Sequence, residues 1–125
     1  MTIRKYTSTS IDTTLATGIG AADTSMTVAT GTGAALMGGI TLTTGDIFTV
    51  ALDPDTTSEE IVYITVRSGD TFTIDRAEAG TAAVVHAAGA TVRHVLTSDD
   101  LNWFNNMIQS ANSIGNTPTI DGGTP

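Results

Sequence analysis

Apolar residues recur with a period of two through the middle of the chain and change to a spacing of three and four near its end. In TSMTVAT (24–30), Met26 and Val28 alternate with Ser25 and Thr27, which predicts a short half-buried strand. GDIFTVALD (45–53) places Ile47, Thr49 and Ala51 on one face and Phe48, Val50 and Leu52 on the other. A strand apolar on both faces is expected in the middle of a sheet, covered from both sides. EIVYITVRSGDTFTIDR (60–76) reads as a β-hairpin: Val62, Ile64 and Val66 share a face, SGD turns the chain, and Phe72 and Ile74 return. ATVRHVL (90–96) supplies a last strand, with His94 on the side of Val92 and Arg93 opposite.

The flanks are less regular. Residues 1–16 alternate weakly and fit an extended arm or a first strand, and an arm can add itself to a neighbour's sheet edge. GTGAALMGG (31–39) carries four glycines and reads as a loop, with Leu36 and Met37 tucked beneath it or offered to a partner. In TSDDLNWFNNMIQSANSIGN the period lengthens to that of a helix over 98–114. Thr97 and Asp100 stand in capping-box spacing, with Asp99 and Asp100 at the positive end of the dipole. Leu101, Phe104, Ile108 and Ala111, joined by Met107, form one apolar stripe, and Gly115 is a natural stop. Trp103 lies off that stripe, on an interface or on a broadened buried face. The remainder, 115–125, has no periodicity and is expected to be a flexible or extended tail. The pattern predicts a mainly β domain over 17–97, a small antiparallel β-sandwich or barrel-like fold with an extended N-terminal arm and one short C-terminal α-helix.

Composition changes this picture in one respect. At 125 residues the length suits a single domain, but aromatics are only 5% and the apolar share leans on alanine, so the core is expected to be thin. Burial against copies of itself or against a partner is the expected compensation. Threonine, the commonest residue, suits a pleated, half-buried surface. There is no cysteine to form disulfides or bind zinc. A net charge of −8 repels phosphate backbones and anionic membranes, so neither nucleic acid nor membrane is expected as a partner. No apolar run follows the early positive charge of MTIRKY, so no signal peptide or membrane span is expected. A protein kept in its producer's cytoplasm, unless a larger assembly carries it out, is the expectation.

Chemical motifs are sparse. DPDTTSEE gathers Asp53, Asp55, Glu59 and Glu60, the hard oxygen ligands calcium uses, but lacks the mid-loop glycine and closing glutamate of an EF-hand. A solvated loop is expected there. His86 and His94, eight residues apart, match no zinc spacing. No nucleophile elbow or phosphate-cradling loop occurs, and GIGAAD and GTGAAL are not placed in a βαβ unit. The chain therefore reads as a non-enzyme without cofactor or metal.

The stretch from Glu59 to Asn102, EEIVYITVRSGDTFTIDRAEAGTAAVVHAAGATVRHVLTSDDLN, resembles a β-domain that recurs in virion structural proteins of tailed bacteriophages. The matching positions are Glu60, Ile61, Val62, Thr65, Ser68, Gly69, Thr71, Thr73, Arg76, Gly80, Thr81, Ala83, His86, Gly89 and Val92. Upstream, TTLATGIGAADTSMTVAT looks like the family's first strands, so most of the chain is covered. One departure stands out: Ala77 replaces the glycine that commonly follows the arginine.

The resemblance implies a structural component of a virion, assembled in the cytoplasm of a bacterial host. Fibre proteins usually extend far beyond such a domain. A sequence ending after one helix and a short tail favours a capsid decoration, or cement, protein that stabilises the head lattice. Its partners would be the major capsid protein and itself, with a trimer implied because such proteins often sit at local three-fold positions. A tail, baseplate or head–tail junction component is the alternative. A glycan-binding module would rest on Tyr6, Tyr63 and Trp103, and is weaker. On this reading Arg76, Gly80, Thr81, His86 and Gly89 shape a turn and crossover, with the His86 imidazole bonding a backbone group of the loop. Tyr6, Ile11, Trp103 and Met107 are the candidates for a partner interface.

Overall fold

β4 (Asp46–Leu52) is buried at every position and lies inside the sheet, as its two apolar faces predict. The computed structural model describes residues 2–115, with side chains through residue 110. The flexible or extended tail expected over 115–125 falls, beyond Gly115, outside the described residues, as does the side chain of Ala111.

The remaining strands are β1 (Ile3–Lys5), β2 (Thr13–Thr14), β3 (Ser25–Thr27), β5 (Glu60–Ser68), β6 (Thr71–Glu78) and β7 (Thr91–His94). They form one sheet in the order β2-β7-β4-β5-β6-β3, antiparallel throughout, while β1 pairs in parallel with the start of β4. One edge of β4 is thus shared: β1 takes residues 46–48 and β7 takes residues 50–52. The segment 1–16, open in sequence between arm and strand, lends β1 and β2 to its own domain's sheet.

The two ends of the sheet meet. Just beyond β2 and β3, Leu15 and Val28 form an antiparallel bridge, flanked by Ala16 N–H to Thr27 C=O and Ala29 N–H to Thr14 C=O, both 2.9 Å. The sheet curls on itself into a barrel-like form, a closure that leaves few strand edges free. Its interior holds Leu15, Met26, Val28, Leu36, Met37, Phe48, Val50, Leu52, Val62, Ile64, Phe72, Ile74 and Val92. On the outer face, Ile47, Ala51, Ile61 and Tyr63 form a second cluster, with Ala79 and Val95 packed against it. The molecule is mainly β with a C-terminal helix.

Three local expectations are corrected. Val66 does not share the core with Val62 and Ile64. The β5–β6 register shifts between Ile64 and Val66, and Val66 emerges into solvent. Residues within GTGAALMGG form a short helix, α1 (Gly33–Met37), rather than a loop. Asp70, in the β5–β6 turn, accepts the Gly31 and Gly33 N–H groups at 2.9 Å and so supplies the cap from another part of the chain. Gly38, at φ +58°, ends the helix, while Leu36 and Met37 are tucked beneath it. Gly33 has room for no side chain, because a Cβ there would collide with the Gly69 carbonyl.

The third correction concerns α2 (Ser98–Gly115). Its capping box forms: Thr97 N–H reaches Asp100 Oδ2 at 3.0 Å, and Asp100 N–H reaches Thr97 Oγ1 at 3.3 Å. The predicted packing stripe, however, faces outward. Leu101 and Phe104 are each 54% exposed, Ile108 44% and Met107 37%. Asp100 and Trp103 form the inward side, because the first turn docks through an ion pair rather than through its apolar face. No helix among the described residues is long and apolar enough to cross a membrane.

Candidate functional site

Glu60 opens β5 with its carboxylate fully buried, and the connection from β6 to β7 wraps around it. Arg76 forms a two-pronged ion pair with it, Nε to Oε2 at 2.7 Å and Nη2 to Oε1 at 2.8 Å. The backbone N–H groups of Ala77 (2.9 Å) and Val84 (3.2 Å) add two further donors. Arg76 also donates to the carbonyls of Gly20, Asp23 and Val84, so all five of its N–H groups are used. Burial alone would raise the Glu60 pKa, but the bonds from Arg76, His86, Ala77 and Val84 outweigh it and hold the carboxyl at about 2.

His86 completes the cluster. Its ring is buried, with Nε2 2.9 Å from Glu60 Oε1 and Nδ1 2.7 Å from Asp53 Oδ2. This corrects the expected contact: the imidazole bonds two carboxylates, not a backbone group. Carboxylate oxygens accept hydrogens, so both bonds are made together when both ring nitrogens carry one. The backbone of His86, in turn, pairs with Ile19 through N–H to O at 3.0 Å and O to N–H at 2.9 Å. A Cβ on Gly18 would approach the His86 carbonyl to 3.0 Å, so the two segments touch where only glycine fits easily.

The other residues of the predicted crossover shape the backbone. Thr81 Oγ1 accepts the Ile61 N–H at 2.9 Å and donates to the Glu78 carbonyl at 2.7 Å. Gly80 and Gly89 have φ of +82° and +90°, and the Gly89 N–H reaches the Leu15 carbonyl at 2.8 Å. Ala77 is held at φ +56°, and Ala79 at +51°. These are left-handed conformations in which a Cβ costs energy.

Two of the four carboxylates of DPDTTSEE, Asp53 and Glu60, meet at the His86 ring. Glu60 also pairs with Arg76, and Asp55 lies 3.4 Å from Arg93. Among the described residues no group of three or more histidines and carboxylates is placed to hold a metal ion. His94 lies apart from His86. Its ring stacks on Phe48 at 4.0 Å, donates from Nδ1 to the Thr49 carbonyl at 2.7 Å and faces the Thr7 N–H through Nε2. Burial lowers its pKa against the opposing pull of the Thr49 carbonyl and Asp100.

A second buried carboxylate lies on the outer face of the sheet. Asp100 accepts Arg4 Nη1 at 2.8 Å, Thr49 Oγ1 at 3.0 Å and Thr97 Oγ1 at 3.0 Å. Arg4 lies over the Tyr63 ring, 4.9 Å from its centroid, and its Nε is buried with no hydrogen-bond partner among the described residues. Of the residues proposed for a partner interface, Tyr6 and Trp103 meet each other at 6.5 Å between ring centroids, both half-buried. Ile11 is 63% exposed on a different part of the surface, and Met107 lies on the open stripe of α2. A groove lined by Tyr6, Leu96, Asp100, Leu101 and Phe104 runs along the base of the helix.

Sequence reasoning named Glu60 among the loop carboxylates and the matching positions but did not pair it with Arg76 and His86. The signal for Glu60 was a carboxylate directly before the apolar run IVYI, a place where burial demands a counter-charge. Nothing local marked Arg4 and Asp100, which are 96 residues apart. No protein-family model matches the chain, and no curated protein matches it.

Proposed function

We propose that the protein is a structural component of a bacteriophage particle, and that it acts as a decoration protein on the head lattice. One observation supports this above the others: the positions that resemble the phage domain do architectural work. Glu60, Arg76, Thr81 and His86 are joined to one another or to backbone groups, and Gly80 and Gly89 serve the turns. The His86 ring, enclosed and engaged at both nitrogens, is built to hold a crossover rather than to act on a substrate. On this reading the protein contacts the major capsid protein through its outer surface, takes no cofactor and carries out no catalysis. Repetition over a lattice multiplies weak contacts into firm attachment.

A tail or baseplate location is the second reading. It is favoured by α2, which leaves the domain with its apolar stripe uncovered, as an element continuing into an axial assembly would. Quantitative mass spectrometry of purified particles separates the two. A ratio near one copy per major capsid subunit is expected for decoration. A few copies per particle would overturn decoration and place the protein in the tail or at a vertex.

A further inference from the structure

α2 is attached to the domain by its first turn and by Trp103 against Tyr6, and beyond these contacts it presents Leu101, Phe104 and Ile108 to solvent. The spacing of three and then four residues is the seam along which helices interlock, each side chain entering a gap between side chains of its neighbour. In sequence the same spacing continues to Ala111 and Gly115.

We propose that this seam is covered by α2 of a second copy of the chain, making the helix the self-association element. Charge favours this occupant. The chain carries −8 overall, so two copies repel one another across most surfaces, yet no charged residue occurs from Leu101 to Gly115. The seam is an exposed apolar stretch on which identical acidic molecules meet without opposing charges. A basic partner, by contrast, would find nothing on it to attract.

The helix itself calls for such cover. Asn102, Asn105, Asn106 and Ser110 are weak helix formers, and a helix of this length is marginal in water unless a face is packed. Asp100, buried and paired with Arg4 and Thr49, fixes the direction in which it leaves the domain. Leu96, Leu101 and Phe104, which border the groove at the helix base, extend the apolar surface toward the domain. This inference concerns the chain alone and does not rest on the phage reading.

Sedimentation velocity of the purified full chain over a concentration series provides the test. The wild type is expected at a whole-number multiple of 12.8 kDa, and Phe104→Asp or Ile108→Asp at the single-chain mass. Two controls place the same charge elsewhere and should leave association intact: Asn106→Asp, on the opposite side of α2, and Val85→Asp, 70% exposed on the crossover. Circular dichroism of the strand signal establishes that each variant is folded. Because the seam is uncharged, added salt should strengthen wild-type association by screening repulsion between the domains, a result that needs no variant. A wild type at 12.8 kDa throughout the series would overturn the proposal. So would association that survives Phe104→Asp and Ile108→Asp, that is lost equally in the controls, or that salt dissolves.

Discussion

Two buried carboxylates anchor separate parts of this molecule, and they are finished to different degrees. Around Glu60 each polar group is answered: Arg76 spends all five N–H groups, His86 is engaged at both nitrogens, and two backbone amides complete the shell. Around Asp100 the carboxylate is satisfied, but Arg4 keeps a buried Nε without a partner among the described residues, and the helix that Asp100 launches leaves its apolar stripe open. The first cluster closes a loop onto its own domain. The second positions an element that still has surface to bury. A charge network complete within one chain signals architecture, whereas an anchored helix with an uncovered apolar face signals assembly.

The sharpest way to break this contrast is to remove Glu60. Glu60→Gln leaves the Arg76 guanidinium buried without its counter-charge and should cost about 4 kcal/mol in chemical denaturation. A loss under about 1 kcal/mol would mean that the cluster contributes little net stability.

The same carboxylate should govern acid sensitivity. Its pKa is about 2 when folded against an ordinary 4.5, so the unfolded chain binds the proton more tightly. The stabilisation is fully present above about pH 5 and is lost as pH falls toward 2, about 3 kcal/mol in all. Glu60→Gln should flatten that decline. His94 adds an earlier one: its pKa is lowered on folding, so stability begins to fall as pH drops below its ordinary 6.5, and His94→Gln should remove that step. Urea midpoints measured between pH 3 and 8 resolve both.

Asp100→Ala should be milder, about 2 kcal/mol, because Arg4 can turn partly to water and what is lost is a cap, the Thr49 hydrogen bond and one ion pair. Its mark should be regional. Helical circular dichroism falls while the strand signal stays, and a simultaneous loss of both would show α2 to be integral to the sheet. Ala77→Gly makes the smallest change and runs the other way. At φ +56° glycine relieves the strained Cβ, so stability should rise by up to about 1 kcal/mol in thermal melts. No gain would mean that the turn holds no strain at this position.

Much of the fold was legible where the period was regular. Met26 and Val28, the two faces of β4, and Phe72 with Ile74 all lie where alternation places them, because a strand's side chains point to fixed faces whatever the rest of the chain does. The reading failed where a distant group intervened. Asp70 caps α1 from across the fold, a register shift carries Val66 out of the core, and Arg4 turns α2 so that Asp100 rather than Leu101 faces inward. His86 shows the division most clearly: its sequence neighbours marked a crossover, but its ring partners lie 26 and 33 residues away.

By itself the sequence determined the central strands, the helix with its capping box, the absence of disulfides and a net acidic charge, since each follows from local periodicity or from composition. Only the tertiary structure decided which carboxylate meets which base, how the sheet closes through Leu15 and Val28, and which face of α2 remains open. Those outcomes depend on groups brought together from distant positions, where burial makes every polar atom find a partner and composition carries no record of the pairing.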